Sequence, residues 1–144
     1  MRLWRISEYA DLSGAGGLYA QGRWNRIGQR MVYTAESSAL ALLEMLVRRT
    51  RNTLPPPYQL IEIEAPDELA ITRWPSGGDV RDRDLTRAWG EAFLRAGATP
   101  LARVPSVIAP YSWNILINPL HAGASEIKIR TVARWPWDAR LFQG

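Results

Sequence analysis

The sequence predicts an α+β fold in one compact domain, with short twisted sheets and a few flanking helices. Short stretches rich in β-branched and aromatic residues occur along the whole chain. Two longer stretches with helical spacing of apolar residues interrupt them, without the regular alternation of an α/β fold. No linker or internal repeat divides the 144 residues, so residues 1–144 are expected to form a single domain.

Composition limits the chemistry that the chain can carry. It has no cysteine and one histidine, His121, which excludes thiol chemistry, Cys-based metal sites and any site that needs two histidines. No apolar stretch is long enough to cross a membrane, and the N-terminus lacks the apolar core of a signal peptide. We therefore expect a cytoplasmic protein with no metal, whose chemistry depends on Arg, Tyr, Glu, Asp, Ser and Asn.

Arginine supplies nearly all of the positive charge. The net charge is +4, and of the 18 basic residues only Lys128 is a lysine. Arginine binds phosphate and carboxylate with two parallel hydrogen bonds, so an anionic ligand is plausible, although a solvated surface explains most of the arginines equally well. Apart from Arg48, Arg49 and Arg51 the basic residues are scattered, which argues against a groove-binding stripe for nucleic acid.

In the first half of the chain, we predict a strand at residues 3–6, a glycine-rich loop at 11–17 and a second strand at 31–35. The first helix is predicted to begin at Ser37 or Ser38, either of which can cap it, and to run to about Arg49. Asn52 and Pro55 then end it. The stretch between the loop and the second strand is expected to be semi-extended.

The second half is predicted to contain several short strands and one more helix. The helix begins at Asp82 or Asp84, runs to Arg95 and stops at Gly97. The predicted strands and the apolar or aromatic stretches beside them are residues 58–64, 70–71, 103–110, 113–118, 127–130 and 134–138.

Glu44 is the residue whose setting most needs an explanation. Leu40, Leu43 and Val47 mark an apolar face of the first helix, and Glu44 lies beside it. A carboxylate in apolar surroundings costs several kcal/mol unless it is paired or protonated. Either a buried arginine pairs with it, or it acts on a substrate by holding a hydroxyl or stabilising a developing cation. Spacing alone favours the structural alternative, for which Arg23 and Arg103 are candidate partners.

Other candidate site residues are individually unspecific. Arg23 follows Gly22 in a polar and aromatic loop, where it could bind an anion or form a salt bridge to the core. Tyr19 and Tyr33 could stack on a planar ring or simply pack. Ser106 places a hydroxyl on an apolar strand, and it could act as a nucleophile only with His121 as its base.

Taken in order, these motifs resemble the RES-domain family, the toxin halves of a bacterial toxin–antitoxin system, named for its Arg, Glu and Ser. The resemblance covers essentially the whole chain, from Leu3-Trp4-Arg5 to Trp135-Pro136-Trp137-Asp138. It is carried by Gly22-Arg23-Trp24-Asn25, Val32-Tyr33-Thr34-Ala35-Glu36, Ala39-Leu40-Ala41-Leu42-Leu43-Glu44, Val104-Pro105-Ser106 and Asn118-Pro119-x-His121. Each motif alone would be weak, whereas the ordered set is specific.

The resemblance implies a fold related to ADP-ribosyltransferases of the diphtheria-toxin type, with NAD as substrate and no cofactor. Family members deplete NAD by hydrolysis or phosphorolysis, and some relatives attach ADP-ribose to a protein target. It also implies an antitoxin partner with an Xre-type helix-turn-helix, which covers the NAD cleft and makes any DNA contact. A basic nucleic-acid-binding module remains the alternative from another class.

Carried over by position, the resemblance assigns Arg23 to positioning of the NAD phosphate or ribose, and Tyr33 to a wall beside the nicotinamide. It assigns Glu44 to the ribose hydroxyl and the developing cation, and Ser106 to a hydrogen bond with nicotinamide or ribose. Tyr19 lies four residues before Arg23, where many members have a tyrosine three before, and it is expected still to reach the cleft. The resemblance thus shifts the balance for Glu44 from structure to function.

Overall fold

The computed structural model describes residues 1–49 and 53–142, and its strands join into one seven-stranded sheet. The order across the sheet is β4-β5-β6-β2-β1-β3-β7, and every pair is antiparallel except β4 with β5. The strands are β1 (Arg2–Ile6), β2 (Val32–Ala35), β3 (Tyr58–Glu64), β4 (Ile71–Arg73), β5 (Leu101–Pro105), β6 (Trp113–Ile117) and β7 (Lys128–Trp135). The α+β prediction is confirmed.

Two α-helices and three short 3-10 helices complete the described fold. Helix α1 (Ser38–Leu46) follows β2, and helix α2 (Arg83–Ala96) lies between β4 and β5. The 3-10 helices cover Ala15–Leu18, Ala122–Glu126 and Ala139–Phe142. No helix in the described ranges is long and apolar enough to span a bilayer.

The sheet buries a different core on each face. The aliphatic core on one face consists of Leu3, Val32, Ile61, Ile63, Leu101, Ile115 and Ile117 with their neighbours. The opposite face carries a tryptophan-rich core under α2 and a smaller core under α1. Residue alternation along β6 explains the division, because Ile115 and Ile117 point to one face and Leu116 to the other.

Local signals for the helix starts are confirmed. The Ser37 side chain accepts a hydrogen bond from the Leu40 N–H and caps α1. Asp82 caps α2 through the N–H groups of Asp84 and Leu85, and Gly97 ends it in a left-handed conformation.

Several predicted bounds are wrong. Helix α1 stops at Leu46 instead of Arg49, and Val47 is 57% exposed instead of lying on an apolar face. Strand β5 ends at Pro105, so Ser106 lies just beyond it, and β7 is longer than residues 127–130. Arg51 and Asn52 lie outside the described residues.

Three tryptophans pack edge to face beneath the loop that carries Arg23. The ring centroids of Trp24 and Trp74 are 5.0 Å apart, those of Trp24 and Trp89 5.6 Å, and those of Trp74 and Trp89 5.4 Å. Helix α2 approaches closely at Gly90, where an added Cβ would lie 1.7 Å from the Trp24 carbonyl oxygen. The glycine is therefore a packing requirement within an otherwise ordinary helix.

We expect Gly90→Ala to destabilise the protein by at least about 1–3 kcal/mol, because backbone must move to admit the methyl group. Gly16→Ala is the matched control: a Cβ added at Gly16 would meet no atom within 4 Å, and its φ is not positive, so its cost should stay within about 0.5 kcal/mol. Free energies of unfolding from denaturant titration measure both. Equal stability of the two variants would contradict this account of the α2 contact.

Candidate active site

Glu44 is held on one of its two carboxylate oxygens. The Ser106 hydroxyl donates to Glu44 Oε1 at 2.9 Å, and the Asn114 side-chain amide donates to the same oxygen at 3.0 Å. Oε2 accepts no hydrogen bond from any residue in the described ranges. The carboxylate is therefore oriented by protein groups and still has one oxygen available for a ligand.

The surroundings of Glu44 correct two expectations from the sequence. Its contacts are polar, since a hydroxyl and an amide meet it, and no salt bridge with Arg23 or Arg103 is formed. The Arg103 guanidinium instead lies 4.0 Å above the centre of the Trp113 ring. The structural ion pair that spacing favoured is thus absent among the described residues.

Ser106 is arranged as a hydrogen-bond donor. Its oxygen accepts the backbone N–H groups of Ile108 at 3.2 Å and Ala109 at 3.1 Å, which directs its proton to Glu44. His121 Nδ1 accepts the Gly123 N–H at 2.9 Å and caps the 3-10 helix Ala122–Glu126. The only imidazole of the chain is thus engaged in a turn, as a helix-capping group.

Asn114 is a site residue that sequence reasoning missed. It lies on β6, paired with Ala35 of β2 and with Val104 of β5, on the sheet face that carries Tyr33. Its 70-residue separation from Glu44 hides the contact from any local pattern. The one available signal is a polar residue in an otherwise apolar strand.

The Tyr33 hydroxyl anchors the loop that carries Arg23. It donates to Asn25 Oδ1 at 2.5 Å and accepts the Trp24 N–H at 3.1 Å. Asn25 is 1% exposed and also accepts the Gly22 N–H at 2.9 Å, while its amide donates to three loop carbonyls. Asn25 was another residue not predicted as part of the site.

Gly22 is required by the same contact. A Cβ at this position would lie 2.4 Å from the Tyr33 hydroxyl and 3.0 Å from Asn25 Oδ1. Any larger residue would push Tyr33 away from the loop. Because the hydroxyl of Tyr33 is fully engaged, its ring is the part that remains to contact a ligand.

Helix α2 supports the loop from the other side. The Thr86 hydroxyl donates to the Arg23 carbonyl at 2.6 Å, and Arg87 Nε donates to the Gly22 carbonyl at 2.9 Å. Gly90 lies against the next carbonyl, that of Trp24. Three consecutive loop carbonyls thus lie against one face of α2, two of them hydrogen-bonded to it and the third in contact at Gly90. The sequence did not predict this support.

The Arg23 side chain is half-buried. Its guanidinium donates to the Val80 carbonyl at 2.8 Å, and no carboxylate of the described chain lies within salt-bridge distance of it. Burial is the main cause that lowers the pKa of Arg23, followed by the charge of Arg83, while the charge of Glu44 acts in the opposite direction. The Glu44 carboxylate is thus among the charges that act on Arg23, although the two side chains form no salt bridge.

Burial also raises the pKa of Tyr33 to about 12. Its hydrogen bonds with Trp24 and Asn25, together with the positive charges of Arg48 and Arg87, oppose that rise. Arg48 follows the end of α1, and Arg87 belongs to α2.

Four of the five predicted site residues lie on the sheet face that carries α1 and α2. Glu44 and Ser106 are joined by their hydrogen bond, and Tyr33 is joined to the loop of Arg23. Tyr19 is 81% exposed, and its hydroxyl forms no hydrogen bond within the described residues. A separate depression, lined in part by Leu18, Arg30, Leu94 and Leu120, shares no residue with this site.

Comparison with known proteins gives one family for nearly the whole chain. The model of the RES domain family matches residues 2–138. The chain is 42% identical over 146 residues to "Toxin Res" of Pseudomonas putida, covering 99% of this chain and 100% of that protein. It is 39% identical over 154 residues to "Prs ADP-ribosylating toxin" of Sphingobium sp., covering 97% and 96%.

A solved structure shares the fold. The toxin–antitoxin complex MbcT–MbcA of M. tuberculosis contains a chain that superposes with a TM-score of 0.78, at 18% identity, covering 98% of this chain and 86% of that one. At this identity the similarity supports the fold alone.

The buried phenol of Tyr33 predicts a pH dependence of stability. Its folded-state pKa of about 12 lies above the ordinary value of 10.0, so folding favours the protonated phenol. The stabilising contribution is fully present below pH 10 and is lost as the pH rises from about 10 to about 12. Denaturant titrations from about pH 9 to about pH 11 should show a fall in unfolding free energy that is smaller in Tyr33→Phe. The same fall in both proteins would contradict it.

Proposed function

The chain belongs to the RES-domain family, and we propose that it is a toxin that consumes NAD by cleaving the bond between nicotinamide and ribose. The observation that carries this proposal is the Glu44 carboxylate, whose Oε1 is held by Ser106 and Asn114 while its Oε2 accepts no hydrogen bond within the described residues. The names of the curated relatives, which are toxins, support the biological role.

The proposed reaction suits a site built from these side chains. When the C1′–N bond breaks, its electron pair leaves with nicotinamide, which departs as a neutral molecule, and positive charge develops on the ribose. Glu44 Oε2 would stabilise that charge or hold a ribose hydroxyl, since a preorganised carboxylate needs no rearrangement during the step. An acceptor oxygen then bonds to C1′ and loses its proton to solvent.

The other side chains would bind and orient the substrate. The guanidinium of Arg23 suits a phosphate or ribose oxygen, and the ring of Tyr33 suits the nicotinamide. Ser106 keeps Glu44 oriented and could also donate to bound nicotinamide or ribose by rotating its hydroxyl. Tyr19 would join the site only if its exposed ring turned toward the substrate.

The acceptor defines a second candidate function, transfer of ADP-ribose to a protein. The relative named "Prs ADP-ribosylating toxin", 39% identical to this chain, favours it. Water or phosphate as acceptor gives NAD depletion instead. NAD labelled in its ADP-ribose part distinguishes the alternatives. Transfer places the label on a protein band, and depletion leaves it in free ADP-ribose or its phosphate.

We further propose that an antitoxin with an Xre-type helix-turn-helix binds this chain in the cytoplasm, covers the site and makes any DNA contact. The basic nucleic-acid-binding alternative is less well supported, because many arginines form surface salt bridges with carboxylates. Steeply salt-dependent binding of duplex or RNA by the isolated chain would revive it.

Purified, antitoxin-free protein should consume NAD and release nicotinamide, tested with and without phosphate and with a mixture of cellular proteins. Absence of turnover under all three conditions would overturn the proposed function.

Glu44→Gln should reduce NAD turnover by on the order of 10²–10³-fold, because the amide cannot stabilise a developing cation. Expression of this variant should also permit cell growth. Glu36→Gln is the matched control: Glu36 is an exposed carboxylate near α1 that accepts the Trp113 N–H, and glutamine keeps that acceptor. Retained turnover in Glu44→Gln, or loss of folding as measured by its unfolding free energy, would favour a structural role.

Asn114→Ala should lower kcat by roughly 10- to 150-fold, since a hydrogen bond to a charged group contributes about 1.5–3 kcal/mol and 1.4 kcal/mol is tenfold in rate. Asn118→Ala is the control and should leave kcat unchanged, because Asn118 lies one residue beyond the other end of β6 and accepts the Leu120 N–H. If both variants lowered kcat equally, Asn114 would be a general packing residue of β6.

A further inference from the structure

Two arginines of α2 lie beside the Arg23 loop without an assigned role. Arg83 is the first residue of the helix and Arg87 lies one turn later, so they share the face on which Thr86 and Arg87 hold the loop carbonyls. Arg87 donates to the carbonyl of Gly22, the neighbour of Arg23, and the Arg23 guanidinium donates to the Val80 carbonyl, three residues before Arg83. The three arginines therefore lie close together at the start of α2 and form one positively charged surface, in which the charges of Arg83 and Arg87 act on Arg23.

None of these three arginines forms a salt bridge within the described residues. Six other arginines, Arg2, Arg26, Arg95, Arg130, Arg134 and Arg140, form salt bridges with carboxylates, whereas no carboxylate in the described ranges lies within 4 Å of Arg23, Arg83 or Arg87. Mutual repulsion of clustered cations is unfavourable, and an anion placed among them would relieve it.

The hydrogen-bonding capacity of these arginines is only partly used. Arg87 donates its Nε to Gly22, which leaves its terminal NH₂ groups, and Arg83 is exposed with no side-chain hydrogen bond in the described chain. The backbone at the start of α2 offers less, because the Asp82 carboxylate already accepts the N–H groups of Asp84 and Leu85. An anion here would be bound by the side chains and not by the helix terminus.

We propose that Arg83 and Arg87, together with Arg23, form an anion subsite that takes the diphosphate bridge of a dinucleotide. The inference rests on the proposed function, because it extends the same site. The Arg23 loop is held on α2 by Thr86 and Arg87, and the Arg23 guanidinium donates to the Val80 carbonyl, three residues before Arg83. A dinucleotide whose ribose meets Glu44 would then place its two negatively charged phosphates beside these arginines, each suited to the fork of an arginine.

The test uses calorimetric titration of the full chain with ADP-ribose, pyrophosphate, orthophosphate and nicotinamide. Arg83→Gln should lower the affinity for ADP-ribose and pyrophosphate by roughly tenfold, since a charge-assisted hydrogen bond of about 1.5 kcal/mol is lost. Its affinity for nicotinamide should stay unchanged. Arg81→Gln is the matched control, because Arg81 is equally exposed, lies two residues earlier and is not among the charges that act on Arg23.

Arg87→Lys is a second variant, which keeps the positive charge but loses the forked guanidinium. It should lower the affinity for ADP-ribose more than the affinity for nicotinamide. Equal effects of Arg83→Gln and Arg81→Gln, or no effect of Arg83→Gln, would overturn the subsite. If Arg83→Gln weakened the binding of orthophosphate only, the subsite would also be overturned, since the arginines would then bind an acceptor phosphate instead of the diphosphate.

The same measurements separate this inference from the proposed function. Arg83-dependent binding of ADP-ribose by a protein that does not consume NAD would support the subsite and overturn the proposed reaction. NAD turnover with ADP-ribose binding that is identical in Arg83→Gln and the original chain would support the reaction and overturn the subsite.

Discussion

The docking of one loop backbone onto one helix stripe is the constraint on which the candidate site depends. The carbonyls of Gly22 and Arg23 are bound by Arg87 and Thr86, and that of Trp24 lies against Gly90. A buried carbonyl without a partner costs about 1–3 kcal/mol, so the helix fixes both the depth and the direction of the loop. Tyr33 of β2 holds the same loop from the sheet through Trp24 and Asn25. These backbone contacts fix the position from which the Arg23 side chain extends.

The two charged groups of the site are kept apart by the way in which each is held. Glu44 is oriented by the neutral donors Ser106 and Asn114, and Arg23 by the neutral carbonyl of Val80. A direct ion pair would neutralise both groups and occupy the atoms that a ligand needs. Neutral supports instead leave a carboxylate oxygen and a cation free within one small region. The unpaired arginines of α2 continue the same arrangement.

Sequence reasoning succeeded where the interaction is local. The cap at Ser37 and the glycine stop at Gly97 depend on neighbours within one helical turn, and both were predicted. Asn114 and Thr86 were missed because their partners, Glu44 and Arg23, lie 70 and 63 residues away. The spacing of apolar residues shows which face of a helix or strand is apolar. It does not show where a hydroxyl must bind a carbonyl that is distant in sequence, or where such a carbonyl leaves room only for glycine. The prediction that these residues belong to one site came from the family resemblance, and no pattern within this one chain could have provided it.

The sheet order has a consequence for a chain that is still being synthesised. Strand β6 lies between β5 and β2, and it carries Asn114. A ribosome that has released the first hundred residues has already produced Arg23, Tyr33 and Glu44, but β5, β6 and β7 are still missing, and β6 is the strand that joins β4 and β5 to the rest of the sheet. The carboxylate then lacks both donors that orient it, since Ser106 and Asn114 are also still to come. Assembly of the site is thus postponed until most of the polypeptide has emerged, which separates the time of translation from the time of activity.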